Sequence, residues 1–103
     1  MTGSSGNSIK EVDLHLKEGY SQSDAIERQI ERFRGELDSA VRTGRKEIIF
    51  IHGIGSGKLK QELRRIISTY YTSCSYQDAS FNRYGFGGAT LVTIRKIKPD
   101  GIR

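Results

Sequence analysis

Three side chains of this chain are suited to moving protons: Asp13 and His15 in "VDLH", and His52 in "FIHGIGSGKLKQELRR". In an extended segment, residues two apart share one face, so the Asp13 carboxylate and the His15 imidazole stand side by side. A carboxylate in that position can orient a histidine, which then takes or gives a proton near neutral pH. With His52 added, the same donors can orient a water or hold a divalent metal. Two plainer roles stand beside these. Asp13 can bond to nearby backbone, and His52 can be a buried histidine that braces the turn behind it.

That turn is the second chemical feature. Gly53, Gly55 and Gly57 follow His52, and Lys58, Lys60, Arg64 and Arg65 follow the glycines with only Glu62 among them. A Walker phosphate loop requires glycine where His52 stands and Ser or Thr where Leu59 stands, so it is excluded. A dinucleotide fingerprint wants its third glycine at Lys58, and that fails too. What remains is a general device. Glycines let a backbone turn sharply and approach a ligand, and a helix starting near Gly57 points its unpaired N–H groups back at the turn, where a phosphate fits. The competing reading is a tight strand-to-helix turn beside a solvated basic surface.

The elements that must carry these residues are readable in outline. "IKEVDLHL" alternates apolar and polar residues at Val12, Leu14 and Leu16, as a half-buried strand does. Ser21 or Ser23 is placed to cap a helix that runs from Asp24 to about Thr43. Its apolar stripe is Ile26, Ile30, Phe33, Leu37, Ala40 and Val41, and its charged face reads as solvated. Gly44 ends it. "RKEIIFIHG" is a continuous apolar strand, as expected for a central or doubly covered position, so strand, helix and strand form a βαβ unit. Parallel strands end at one edge, which brings Asp13, His15 and His52 together where open α/β sheets place their ligands. Leu59, Leu63, Ile66, Ile67 and Tyr70 give a second helix to about Tyr71. "CSYQDASF" is a third strand, "NRYGFGG" a glycine-rich connection, and "ATLVTIRKI" a fourth strand. The order is β-α-β-α-β-β, with two helices packed on a four-stranded sheet.

At 103 residues the chain has room for one core. Lys and Arg number 17 against 12 Asp and Glu, a net charge of +5 that favours an anionic partner or simply solubility. Cys74 is the single cysteine, which excludes an internal disulfide and a Cys-rich zinc site, and a cytoplasmic location is expected. No apolar run approaches the ~20 residues that span a bilayer. Residues 1–8, "MTGSSGNS", read as an expression scar or linker, and 99–103 as a tail, so the natural protein is expected to be longer.

"VDLH", a helix of some twenty residues, "IHGIGSGKLKQELRR" and "GFGGATLVTI" occur in the order seen in the small MutS-related, or Smr, domain, which residues 9–98 resemble. With "YQDASF" and "YGFGGAT" the chain is similar to the Smr domain at the end of a bacterial protein family of unassigned function. The resemblance implies an α+β fold, a two-layer α/β sandwich with a mixed sheet like the C-terminal domain of translation initiation factor three. It also implies DNA or RNA backbone as partner, with nicking endonuclease or ribonuclease activity in some members and binding alone in others; the rival reading is a non-catalytic module that docks another protein or a larger multidomain chain. Asp13 and His15 match the motif implicated in cleavage. His52, Gly53, Gly55 and Gly57 match the glycine loop, and Lys58 follows. On this reading Lys58, Lys60 and Arg64 screen the phosphate, no cofactor is required outright, and Mg²⁺ or Mn²⁺ is the candidate ion. Tyr84 and Phe86 are placed to stack on an unpaired base, with packing under the sheet an equal alternative for Phe86. The chain departs from the family pattern at Val12, where Leu is usual, at Leu16, where Gly often follows the histidine, and at Ser56, where Thr is frequent.

Overall fold

A computed structural model describes residues 9–16, 19–55, 57–85 and 87–95. Ser56, Phe86, the first eight residues, and the end of the expected last strand and tail lie outside them. The elements are β1 (Lys10–Asp13), α1 (Gln22–Arg42), β2 (Glu47–Ile51), α2 (Lys58–Tyr70), β3 (Cys74–Asp78), α3 (Phe81–Tyr84) and β4 (Ala89–Ile94). The sheet order is β1-β2-β4-β3. β1 runs parallel to β2, and β4 is antiparallel to both β2 and β3. The fold is therefore the expected mixed four-stranded sheet with helices, in an α+β sandwich. The helix count differs: β3 ends at Asp78, short of the expected Phe81, and a third, one-turn helix begins at Phe81 and runs into the glycine-rich connection.

Ser21 caps α1, its hydroxyl accepting from the Asp24 N–H at 3.2 Å. Gly44 follows the helix with φ +79°, a left-handed turn that glycine takes without strain. Phe33, Leu37 and Ala40 of α1, and Leu59, Leu63, Ile66 and Ile67 of α2, close over Val12, Leu14, Ile48, Phe50, Val92 and Ile94. Phe33 meets Phe50 edge to face at 4.8 Å. Three residues assigned to the apolar stripes fall outside this core: Ile26, half-buried near the start of α1, and Val41 and Tyr70 at the helix ends. Val41 and Tyr70 are 40% and 60% exposed, because each sits in the last turn of its helix, where the stripe has run past the sheet. The Tyr70 ring instead carries the Arg34 guanidinium at 5.1 Å.

β2 has a partner on each side, which accounts for its unbroken apolar sequence. Alternation along it sends Ile48 and Phe50 to the helices and Ile49 to the other face. On that face Arg83 of α3 pairs with Glu11 at 2.9 Å. Among the described residues no helix is long and apolar enough to cross a membrane.

Candidate nucleic-acid interface

β1 and β2 end together, and the three proton-moving side chains lie at that edge. Asp13 is the last residue of β1, paired with Ile51. The Leu14 N–H continues the ladder to the Ile51 carbonyl at 3.0 Å and the Leu14 side chain is buried, so the strand is pinned just before His15. The Asp13 Oδ1 accepts from the His15 backbone N–H at 3.0 Å and lies 2.8 Å from its ring Nδ1. A carboxylate only accepts, so Nδ1 carries a proton, and in the neutral ring Nε2 keeps its lone pair. The backbone bond first, and then the ring bond, hold the Asp13 carboxyl below its ordinary range. The His15 side chain is 70% exposed and leans on the glycine turn: a Cβ placed on Gly53 would lie 3.8 Å from Cε1 and 4.0 Å from Nε2.

His52 is at the same edge but faces the helices. Its Nδ1 donates to the Gly53 carbonyl at 3.0 Å, and its Nε2 accepts from the Thr90 hydroxyl at 2.8 Å. Thr90 is fully buried opposite Phe50 and in turn accepts from Arg64 Nη2 at 3.0 Å. The bonds run in one direction, from Arg64 to Thr90 to His52 to Gly53, and both ring nitrogens are used. Burial pushes the His52 pKa down, with the Lys60 and Arg64 charges adding to it, so the ring is held neutral. The two histidines thus stand on either side of the Gly53 backbone. The shared edge expected from the sequence is there, but a pair of cooperating imidazoles is not.

The glycine turn is fastened from below. The N–H groups of His52 and Gly53 both donate to the Gly88 carbonyl, at 3.1 and 2.9 Å. A Cβ on Gly88 would come 2.2 Å from the Tyr84 carbonyl oxygen, so only glycine lets the late segment approach this closely. The Gly53 N–H is therefore occupied, and donors for a ligand come from further along. Gly57, at φ +85°, begins α2 without a side-chain cap or an acid in the first turn. The first bond along the helix axis is Gln61 N–H to Gly57 carbonyl at 3.0 Å, so the N–H groups ahead of it point back at the loop. A cleft of about 180 Å³ opens there, bounded by Gln22, Ile26 and Gln29 of α1, by His52 with the glycine turn, and by Lys58 and Lys60; His15 is not part of this lining and meets the turn at Gly53 instead.

The cations differ in exposure and in the partners that can be named for them. Lys58 is exposed at the cleft. Lys60 Nζ lies 3.3 Å, and Arg64 Nη2 2.6 Å, from Oδ1 of Asp78, whose carboxyl they hold below its usual range, Arg64 more than Lys60. Arg64 is also stacked on Tyr76 at 4.8 Å. It is a buttress of the edge more than a ligand arm. Asp78, Thr90 and Gly88 were not singled out from the sequence. Their partners lie 14 to 38 residues away, and no local pattern reveals such contacts. Among the described residues no cluster of three or more His, Cys, Asp or Glu is placed to hold a metal. Asp13 and His15 supply two candidate ligands.

A mixed β1-β2-β4-β3 sheet under two helices, with a histidine-glycine turn leading into a basic helix, defines the class of α+β domain expected from the sequence. The Smr domain sequence pattern matches residues 12–95, and the chain belongs to the Smr domain family. Two curated relatives are Endonuclease MutS2 proteins, from Caldicellulosiruptor saccharolyticus, 31% identical over 87 residues, and from Caldicellulosiruptor bescii, 29% identical over 87 residues. The alignment covers 84% of this chain but only 10% of each relative's length. The crystal structure of the Smr domain of Thermus thermophilus MutS2 is similar, with a TM-score of 0.69 at 27% identity, over 85% of this chain and all of the other.

Proposed function

We propose that this domain binds the phosphodiester backbone of a nucleic acid at the glycine turn and cleaves it with the Asp13–His15 pair, in the cytoplasm and as one part of a larger protein. The observation that carries the reading is the free Nε2 of His15 beside Gly53, backed by a carboxylate on the opposite ring nitrogen. Family membership and the curated relatives named as endonucleases support the substrate class.

A phosphate enters the cleft above the first turn of α2, drawn by the helix N-terminus with Lys58 and Lys60. His15 takes the proton of the attacking hydroxyl or water, or returns one to the leaving oxygen, and Asp13 keeps its ring turned and stabilises the imidazolium that forms. His52 and Arg64 hold the turn in shape. If Mg²⁺ or Mn²⁺ takes part, Asp13 is its protein ligand, and phosphate oxygens and waters complete the shell, as is usual for Mg²⁺. Contacts to backbone alone give weak sequence preference and steep salt dependence.

The second reading is a binding module without chemistry, favoured by the commitment of both His52 nitrogens to the fold. The test is cleavage of supercoiled plasmid and of single-stranded RNA by the parent chain and by His15→Ala, with and without Mg²⁺ or Mn²⁺, beside binding in a gel shift. Cleavage that vanishes in the variant while binding persists is the expected result. Cleavage that survives in a metal-free, repurified His15→Ala protein rules out the assigned role, and salt-sensitive binding with no cleavage by either protein establishes the second reading.

A further inference from the structure

The opposite end of the sheet carries a groove of about 870 Å³ that the proposed reaction does not use. Val41 and Ile94 contribute apolar surface to it, and Arg42, Arg45, Lys46 and Arg95 bring four positive charges, against Glu47 as the one acid in the lining. These cations come from the end of α1, the turn after it and the end of β4. The backbone gathers them: the Ile94 N–H donates to the Lys46 carbonyl at 2.8 Å, and the Arg95 N–H to the Ser73 carbonyl at 2.9 Å. Among the described residues none of the four has an ion-pair partner, whereas Lys60 and Arg64 share Asp78. Four positive charges beside a single acid leave a net repulsion among them, and an anion in the groove relieves it.

We propose that this groove is a second phosphodiester site, which holds the same strand that the glycine turn engages; the inference rests on the nucleic-acid reading above. Three of the four cations are arginines, whose forked donors suit phosphate oxygens. Spacing agrees as well. The five residue steps of β2 and its end, from Glu47 in the groove to His52 at the turn, span about 17 Å at ~3.3 Å per residue. A stacked strand covers that distance in about five nucleotides at 3.4 Å each. A trinucleotide therefore reaches one site and a decanucleotide reaches both.

The experiment is fluorescence anisotropy with labelled single-stranded tri- and decanucleotides across a salt series. It uses the parent chain, an Arg42→Gln/Arg45→Gln/Arg95→Gln variant and the matching Arg→Lys variant, with circular dichroism to check that each is folded. The parent is expected to gain about tenfold or more in affinity from the short to the long strand. The glutamine variant loses that gain but keeps the parent's trinucleotide affinity, and its log–log salt slope is shallower by about two. The lysine variant keeps the gain, which separates charge from fold. A folded glutamine variant with the parent's length gain and salt slope overturns the second site and leaves the turn's reading intact. If the parent binds neither oligonucleotide, the nucleic-acid reading fails and the groove site with it. If a polyglutamate peptide binds the groove where nucleic acid does not, the groove belongs to an acidic protein partner and the proposal is overturned.

Discussion

His15 and His52 sit one residue beyond the pinned ends of neighbouring strands, yet their surroundings make them opposites. His15 is exposed, bonded on one nitrogen and paired to a carboxylate. His52 is partly buried, bonded on both nitrogens and held neutral, with Thr90 between it and a cation. Strand alternation explains the difference. His52 follows Phe50 by two and faces the helices, whereas His15 follows Asp13 by two and faces away from them. A histidine at the end of such a strand is thus no evidence of chemistry until both of its nitrogens have been accounted for.

The contrast breaks first at His15. His15→Ala is expected to lower cleavage by a hundredfold or more while unfolding free energy in urea stays within about 0.5 kcal/mol of the parent. A large stability loss there would erase the distinction. His52→Ala is expected to do the reverse, with a loss of about 2–3 kcal/mol in the same titration because the Gly53 carbonyl and the buried Thr90 hydroxyl lose their partner. Thr90→Val, which keeps the shape and removes the hydroxyl, should lose about 1–2 kcal/mol, and Thr90→Ser should recover most of it; equal effects of the two would show that packing, not the bond, matters there.

The smallest effect is in pH. The folded pKa of His52 lies below its ordinary value of 6.5. As pH falls past about 6.5 the unfolded chain takes up a proton before the folded one does, so stability present above that point is lost on acidification. The melting temperature of the parent should decline from that point downward, and His52→Gln should flatten the decline. An unchanged slope would assign the acid sensitivity to other groups.

How much of this was legible follows from the range of each contact. The stripes of α1 and α2 and the unbroken apolar run of β2 repeat within a few residues, and so did the capping serine, narrowed from two to Ser21. The one-turn helix α3 was not, since Phe81–Tyr84 is too short to show a period. At the site, "VDLH" carries its own hydrogen bonds and could be read directly. The orientation of His52 depends on Thr90, 38 residues on, and the tethering of Arg64 on Asp78 across two elements. Whether a cation is available to a ligand or already occupied is decided by such long-range partners.

The place of β4 has a consequence for how the domain comes into being. Among the described residues β3 pairs in the sheet with β4 alone, and the glycine turn after β2 hangs from the Gly88 carbonyl at the threshold of β4. A ribosome delivers β1, both long helices and β3 before it delivers the strand that must slide between β2 and β3. Until then β2 offers an open edge and the turn has nothing to close on. The edge that carries Asp13, His15 and His52 is completed only when β4 is inserted, so a nascent chain cut short of residue 88 would carry the histidines and glycines without the carbonyl that fastens the turn.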